Sequence, residues 1–317
     1  MIEVPEAFRR GTVEREGEGA ARWLAGLPSL VAELTDRWGC SADGDVRHGG
    51  VGIVVPVRRR DGAPAVVKVS FPHPGNVHEP DAFAAWGGRG AVRLHERDDA
   101  RYAMLLERAY GDSLAEVADL DEIAVVGGRV SRRLAVPAPD GLPRLRDMAD
   151  TWERQLVADA RELDHRLSAP ALDAALATVR ELGRSQPDVL VHGDLHARNI
   201  LRADREPWLA VDPKGWVGDP AYDAGTLLKA LSVRLLHLDD PGEVRGAAHR
   251  ILDLFSEAAG LDRGRVGRWA HLQIVQACFW GRRHGFRVAR KGAELDRITR
   301  FADGLAQALT PGVPEPS

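Results

Sequence analysis

The chain has 317 residues, 44% hydrophobic and 28% charged, a composition that suits a globular enzyme of one large domain or two modest ones. Its 43 basic and 47 acidic residues give a net charge of −4, which argues against a nucleic-acid partner. Cys40 and Cys278 are the only cysteines, no signal-peptide pattern opens the chain, and no apolar run reaches the roughly 18 residues that span a bilayer, so a cytoplasmic protein without a membrane partner is expected.

The first hundred residues are predicted to form a small antiparallel sheet with one or two helices. Apolar residues at helical spacing from Ala20 to Trp38 predict a helix that is interrupted near Pro28, where a second helix would begin. Three glycines, at positions 49, 50 and 52, then precede two β-rich runs at 53–57 and 65–69, which the turn signal Asp61-Gly62 joins into a hairpin. A short helix and two further strands are expected at 81–86, 92–94 and 102–106.

Beyond Gly111 the sequence has helical periodicity with one β-rich island. The predicted helices lie within 114–135, 147–182, 224–237, 243–259, 264–280 and 293–309, and the β runs at 189–191, 200–201 and 208–211. We therefore predict an α+β fold with a β-rich N-terminal lobe at 1–108, a hinge near 107–112 and a helical C-terminal lobe at 109–317.

The strongest functional signal is the segment 191–201, in which His-Gly-Asp is followed by an asparagine five residues after the aspartate. In phosphoryl transfer, Asp194 would accept the proton of an attacking hydroxyl, and the amide oxygen of Asn199 would ligate magnesium. Asp212, at the end of an apolar strand, would supply a second carboxylate to the metal. An alternative is a metal-dependent hydrolase that uses His192 and His196 together with Asp194.

This pattern resembles the aminoglycoside phosphotransferase and choline-kinase family, in which His-Gly-Asp replaces the His-Arg-Asp of protein kinases. Asp212-Pro213 is similar to the magnesium-binding segment of kinases, and 217–223 is similar to a stretch that anchors the next helix, so Asp223 is expected to cap a helix at 224–236. The resemblance covers most of residues 20–225. It is greatest to the streptomycin 6-phosphotransferase and hydroxyurea kinase branch, through the segments 23–28, 86–94, 104–108 and 205–214.

The resemblance implies a protein-kinase-like bilobal fold that uses ATP and Mg²⁺. Lys68 would contact the α- and β-phosphates, with Glu79, or alternatively Asp81, holding it in place. Gly50 and Gly52, together with Gly49, would let the backbone approach the phosphates. The hinge segment from Glu107 to Ala109 would present backbone groups to the adenine. No Walker A sequence occurs, so a P-loop kinase is excluded.

The acceptor is expected to be a small molecule. Six residues separate Asp212 from Asp219, which leaves no room for a peptide-docking activation segment. Streptomycin or another aminocyclitol is the first candidate, followed by hydroxyurea and an amino sugar, and a pseudokinase that binds nucleotide without turnover is the alternative from another class. Lys214 would contact phosphate or face water.

One stretch fits poorly with a polycationic acceptor. Residues 281–300 are rich in basic side chains, which form either a solvated helix face or a pocket for a neutral or anionic acceptor. They are Arg282, Arg283, Arg287, Arg290, Lys291, Arg297 and Arg300, against only Glu294 and Asp296.

Overall fold

The computed structural model describes residues 2–286 and 289–312. Contacts between Cα atoms divide the chain into two compact units, one comprising Met1–Gly111 and Leu201–Lys214, the other Asp112–Ile200 and Gly215–Ser317. The helices are α1 (Glu6–Glu16), α2 (Glu18–Arg37), α3 (Glu79–Trp86), α4 (Leu120–Leu134), α5 (Ala149–Glu162), α6 (Ala169–Thr178), α7 (Ala221–Leu235), α8 (Pro241–Ala259), α9 (Arg263–His284) and α10 (Gly292–Ala308). The strands are β1 (Cys40–Ala42), β2 (Arg47–His48), β3 (Gly52–Arg59), β4 (Pro64–Ser70), β5 (Leu94–Asp98), β6 (Ala103–Glu107), β7 (Val136–Pro137), β8 (Val189–Val191), β9 (Ile200–Arg202), β10 (Trp208–Ala210) and β11 (Trp216–Val217).

The first unit is built on an antiparallel sheet of order β1-β3-β4-β6-β5, with β2 paired to β3. Alternate residues of the two central strands face the core, because side chains on a strand point to opposite faces in turn. Val55 lies opposite Val67, which lies opposite Leu105, and all three are buried. The expected antiparallel sheet is therefore present, and its apolar face packs against α2.

The predicted interruption of the helix at Pro28 is wrong, because α2 runs unbroken from Glu18 to Arg37. A proline inside a helix lacks the N–H that would donate to the carbonyl four residues earlier, at a cost of about 3 kcal/mol. Leu24, Leu27 and Val31 flank Pro28 and are almost fully buried in the core. Burying each such side chain contributes about 1.5–3 kcal/mol, so tertiary packing outweighs the local defect.

The hairpin of β9 and β10 packs with the first unit, although it lies within the range 109–317 that was predicted as the helical lobe. Ala210 forms a parallel bridge with Ala91, and its N–H donates to the carbonyl of Gly90 at 2.9 Å. The N–H of Val92 donates in turn to the carbonyl of Ala210 at 3.2 Å. These bonds fix the strand that precedes Asp212 to the first unit.

The second unit is helical around a three-stranded sheet of order β11-β8-β7. The helix predicted over 147–182 is two helices, α5 and α6, which residues 163–168 separate. Ser168 caps α6 and Pro170 occupies its first turn, so the local sequence starts a new helix there. No described helix is both long and apolar enough to cross a membrane.

Close contact between α4 and α8 in the second unit depends on a glycine. A Cβ atom at Gly128 would lie 2.5 Å from the carbonyl oxygen of Phe255 and 2.8 Å from the Cβ of Ala258. Real Cβ atoms do not come so close to other heavy atoms, and one of the two contacts is to backbone. The absence of a side chain at Gly128 therefore sets the separation of these helices.

We predict that Gly128→Ala lowers the free energy of unfolding by about 1–3 kcal/mol, because overpacking forces the two helices apart. The matched control is Gly246→Ala on an exposed turn of α8, where an added Cβ meets nothing within 4 Å. That change should raise the free energy of unfolding by up to about 1 kcal/mol, the helix propensity difference. Chemical denaturation of both variants is the measurement, and equal stability of the two would contradict the predicted contact.

Candidate active site

A buried lysine in the first unit is bound to two carboxylates. Lys68 lies on β4, and its Nζ donates to Oε1 of Glu79, the first residue of α3, at 2.5 Å. Lys68 and Glu79 are 7% and 2% exposed, so this ion pair is shielded from water. The same ammonium also donates to Oδ1 of Asp212. Asp81, the alternative partner, instead binds Arg97 at 2.9 Å.

Burial and charge act in opposite directions on this cluster. Burial lowers the pKa of Lys68, but the charges of Asp212 and Glu79 outweigh it and hold that pKa above the usual value, so the ammonium stays charged. Burial raises the pKa of Glu79 to about 7, although the charge of Lys68 opposes the rise. The single cation therefore has a buried carboxylate on one side and the more exposed Asp212 on the other.

Asp212 has an unusual backbone conformation. Its φ is 56°, in the left-handed region that residues other than glycine rarely adopt, and such residues cluster at functional sites. A Cβ at Gly49 would lie 3.8 Å from its Oδ2, so this oxygen faces the glycine loop. Lys214 lies close to the turn that precedes α3, since a Cβ at Gly75 would be 3.4 Å from its Nζ. The charge of Lys214 lowers the pKa of Glu79, at the start of α3.

Two of the three glycines in the loop that joins β2 to β3 have different surroundings. A Cβ at Gly52 would be 2.7 Å from Oγ of Ser70 and 2.9 Å from the carbonyl oxygen of Val69, so the pairing of β3 with β4 requires this glycine. A Cβ at Gly50 would meet nothing within 4 Å. Gly52 therefore has a packing role, whereas Gly50 borders open space.

The predicted hinge residues lie at the end of β6. The side chain of Glu107 accepts from Arg205 at 2.9 and 2.8 Å and from the N–H of Arg93 at 3.0 Å. Burial raises the pKa of Glu107, but the hydrogen bond from Arg205 and the other donors bring it below the usual value. This carboxylate thus ties the β9–β10 hairpin to β6, and Ala109 follows two residues later, just before Tyr110, whose N–H donates to the carbonyl of Arg202 at 2.7 Å.

The His-Gly-Asp loop follows β8 in the second unit. Gly193 has a φ of 77°, which only glycine adopts readily, and this explains the glycine between His192 and Asp194. His192 is fully buried, and its Nδ1 accepts from the N–H of Asp194 at 3.2 Å. The side chain of Asp194 is 36% exposed, with Nε2 of His196 4.0 Å from its Oδ2. The loop therefore presents Asp194 to solvent and keeps His192 in the interior.

Asn199 is oriented by the same loop. Its Nδ2 donates to the backbone carbonyl of Asp194 at 3.0 Å, which directs the amide oxygen away from that contact. The backbone N–H of Asn199 donates to the carbonyl of His196 at 2.8 Å. An oxygen atom held in this way is a suitable ligand for a hard cation.

Asp223 has a role that the sequence did not predict. The helix begins at Ala221 rather than Ala224, and its first N–H is accepted by Asp219, so the prediction that Asp223 caps it is wrong. The carboxylate of Asp223 instead accepts from the backbone N–H groups of His192 and Gly193 at 3.1 and 2.9 Å. Burial raises its pKa to about 7, although these N–H donors lower it. Asp223 thus holds the loop that carries Asp194.

The basic residues of 281–300 are largely accounted for within the second unit. Arg290, Lys291 and Arg300 are exposed, and Arg287 lies outside the described residues. Three arginines pair with carboxylates: Arg282 with Asp303 at 2.6 Å, Arg283 with Asp159 at 2.5 Å and Glu162 at 2.8 Å, and Arg297 with Glu294 at 2.8 Å. This geometry favours a paired and solvated surface over a basic acceptor pocket.

A cavity of about 1120 Å³ lies among α5, α7, α9 and α10 of the second unit. Trp152 and Tyr222 form an aromatic wall, with rings stacked at a centroid distance of 6.2 Å. The charge of Asp194 acts on the hydroxyl of Tyr222, whose pKa burial and neighbouring carboxylates raise. Tyr222 directly precedes Asp223, which accepts from the backbone of the His-Gly-Asp loop, so this part of the cavity wall adjoins the residue that holds the loop.

Residues 37–285 match the family described as aminoglycoside/hydroxyurea antibiotic resistance kinase. The chain belongs to this family. A streptomycin 6-kinase of Streptomyces griseus is 38% identical over 281 residues, which are 88% of this chain and 91% of that protein. A hydroxyurea phosphotransferase of Kitasatospora aureofaciens is 35% identical over 288 residues, 88% of this chain and 80% of that protein.

The fold of this kinase is protein-kinase-like, as predicted. A choline kinase from Streptococcus pneumoniae aligns with a TM-score of 0.53 at 11% identity, covering 89% of this chain and 99% of the other. Membership of the kinase family makes this chain a phosphotransferase that uses ATP and acts on a hydroxyl of a small molecule. The hypotheses of a metal-dependent hydrolase and of a pseudokinase are therefore wrong.

Two positioning residues escaped the sequence analysis. Arg205 holds Glu107 from a turn, and Asp223 holds the His-Gly-Asp loop from 30 residues away. The signal for Asp223 was its place in a stretch that resembles the family, but the partner of a carboxylate does not follow from sequence spacing. Arg205 lies in the segment 205–214, which resembles the family, but the sequence does not indicate that it contacts Glu107.

We predict that Gly52→Ala lowers the melting temperature by several degrees, because the new methyl group must displace Ser70 or the backbone of β4. Gly50→Ala is the matched control on the same loop and should leave the melting temperature unchanged, since the added Cβ meets no protein atom within 4 Å. Thermal unfolding of the two variants without nucleotide decides the matter. A larger loss of stability for Gly50→Ala would show that the loop packs differently.

Proposed function

We propose that this kinase transfers the γ-phosphate of ATP, with Mg²⁺, to a hydroxyl of streptomycin or a closely related aminocyclitol, and so confers resistance to the antibiotic. Residues 1–108 would bind the nucleotide, and residues 109–317 would carry the catalytic loop and the acceptor pocket. The observation that carries the proposal is the identity of 37–38% to streptomycin 6-kinases over 88–98% of the chain.

On the nucleotide side, Lys68 is the phosphate-binding cation. Its ammonium is already oriented by Glu79 and Asp212, so little side-chain freedom is lost when phosphate binds. Gly50 and Gly52 would bring the backbone close to the phosphates, and backbone groups of Glu107 and Ala109 would contact the adenine. The charge of Lys214 reaches the same cluster, which supports a contact with phosphate rather than with water alone.

On the acceptor side, Asp194 accepts the proton of the attacking hydroxyl. Its carboxylate is accessible, while its backbone N–H is bonded to His192 and the loop is held by Asp223. A base that is fixed by its neighbours needs no rearrangement when the hydroxyl arrives.

Asn199 and Asp212 are proposed as the magnesium ligands. The donor set fits, because Mg²⁺ prefers hard oxygen ligands and both residues offer side-chain oxygens. The amide nitrogen of Asn199 is engaged by the carbonyl of Asp194, and Oδ2 of Asp212 faces the glycine loop. When bound, magnesium neutralises part of the phosphate charge.

Hydroxyurea is the second candidate acceptor, since a hydroxyurea phosphotransferase is 35% identical to this chain. Specificity is set by the pocket rather than by the shared phosphate-transfer residues, so both acceptors are compatible with the family. The pairing of Arg282 and Arg283 with carboxylates removes the main electrostatic objection to a cationic antibiotic.

We expect Asp194→Asn to reduce turnover by about 10²–10⁴-fold, the usual effect of losing a general base. ATP affinity and the melting temperature should be unchanged, because the carboxylate is over a third exposed. Steady-state kinetics, ATP calorimetry and thermal unfolding are the measurements. Asp173→Asn, which removes an exposed carboxylate on α6, is the matched control and should behave like the wild type. Wild-type turnover in Asp194→Asn would exclude Asp194 as the base.

We expect incubation with ATP, Mg²⁺ and streptomycin to yield a drug about 80 Da heavier by mass spectrometry, the mass of one phosphoryl group. Hydroxyurea is tested in parallel, and the Asp194→Asn enzyme serves as the blank for both. If only hydroxyurea is phosphorylated, it replaces streptomycin as the proposed acceptor. The absence of product from either compound would refute the proposed substrates while leaving the kinase family intact.

A further inference from the structure

The cavity of the second unit has a lysine on its α7 wall. Tyr222 and Lys229 are seven residues apart on this helix, which is two turns, so they lie on the same face, and both line the cavity. Ser232, one turn further on, continues that face. Lys229 therefore lies on the same helix face as Tyr222, and the charge of Asp194 acts on the hydroxyl of Tyr222.

The other charged groups of the cavity wall are paired, and Lys229 differs from them. Asp159 and Glu162 of α5 both bind the guanidinium of Arg283, and Gln155 donates a further hydrogen bond to Asp159 at 2.8 Å. The carbonyl of Lys229 accepts from the hydroxyl of Ser232 at 2.7 Å, but its ammonium has no hydrogen bond or ion pair within the described residues. Among the described residues that line the cavity, Lys229 is thus a cation without a carboxylate in direct contact.

The charge that acts on Lys229 is that of the proposed base. The surrounding protein lowers the pKa of Lys229, and the negative charge of Asp194 opposes this effect. The carboxylates of Asp159 and Glu162 are instead occupied by Arg283. The ammonium of Lys229 therefore interacts with the charge of Asp194, although the two groups are farther apart than a salt bridge.

Lys229 is exposed and lines the cavity, so its ammonium is open to a ligand that enters there. A group of this kind in a cavity beside a catalytic residue is a candidate for ligand binding. Lysine donates up to three hydrogen bonds and accepts none, so its ligand must present oxygen acceptors. A cationic substituent at the same place would be repelled.

We propose that Lys229 binds the acceptor, donating a hydrogen bond to an oxygen that neighbours the hydroxyl deprotonated by Asp194. The acceptor class is then a polyhydroxylated ring with adjacent oxygen substituents, bound with its cationic groups away from Lys229. This inference rests on the proposed function and adds the orientation of the acceptor. The aromatic wall of Trp152 and Tyr222 suits such a ring, since aromatic faces pack against the C–H groups of cyclic polyols.

The test compares Lys229→Met, which keeps the length of the side chain and removes its charge, with Lys229→Arg, which keeps the charge. With streptomycin as acceptor, Lys229→Met should raise the KM for streptomycin about tenfold or more, the usual effect of losing a hydrogen bond to a charged group. The KM for ATP and the melting temperature should not change. Lys229→Arg should recover part of the affinity. Lys291→Met, which removes an exposed lysine before α10, is the control for net charge and should match the wild type.

A deoxy analogue of the acceptor, lacking the neighbouring oxygen, completes a double-mutant cycle. The analogue should bind the wild type about tenfold more weakly, and Lys229→Met should add no further loss, because the two changes remove one hydrogen bond. An unchanged KM for streptomycin in Lys229→Met, or additive losses in the cycle, would overturn the proposal. A lower KM would overturn it as well, since Lys229 would then only repel the cationic drug. If the wild type phosphorylates neither streptomycin nor hydroxyurea, the proposed function fails first and this inference falls with it.

Discussion

The first unit depends on the burial of a single ammonium group. Lys68 lies in the middle of β4, where removal of its charge from water is unfavourable unless carboxylates surround it. Glu79 supplies one from α3, and Asp212 supplies the other from the segment that follows β10. These two contacts join β4 to α3, 11 residues further along the chain, and to Asp212, 144 residues from Lys68. In the arrangement that stabilises this buried charge, Asp212 has a left-handed backbone conformation and a side chain that is about half exposed.

In the second unit, the backbone N–H groups of the His-Gly-Asp loop need hydrogen-bond acceptors. The loop belongs to no strand or helix that would satisfy them, and buried N–H groups without an acceptor are unfavourable. Asp223 accepts two of them, from His192 and Gly193, and His192 accepts a third from Asp194. The position of Asp194, the proposed base, is therefore set by hydrogen bonds from its own loop to Asp223 and His192.

Sequence patterns predicted what depends on local order and on motif spacing. The antiparallel sheet follows from alternating apolar residues, and the loop that carries Asp194 and Asn199 between short β runs follows from the spacing of the His-Gly-Asp motif. The role of Lys68 was inferred from the family resemblance and remains a prediction. Three features depended on tertiary contacts and could not be predicted. Pro28 lies inside a helix because burial of its neighbours outweighs its cost, Asp223 serves the loop rather than the helix, and the β9–β10 hairpin packs on the first unit through backbone bonds to residues 90–92. In each case the deciding partner is remote in sequence.

In the second unit, the effect of a charged residue depends on its ion-pair partner and does not follow from composition alone. The arginines of 281–300 suggested a basic pocket, but Arg282 and Arg283 donate to carboxylates and backbone carbonyls of the same unit. A paired guanidinium contributes little field at a distance, because the neighbouring carboxylate cancels most of it. Within the described part of the chain, the ammonium of Lys229 has no such carboxylate partner, although it too lines the cavity. If Lys229 binds the acceptor as proposed, it constrains the placement of the acceptor's cationic groups more directly than the paired arginines do.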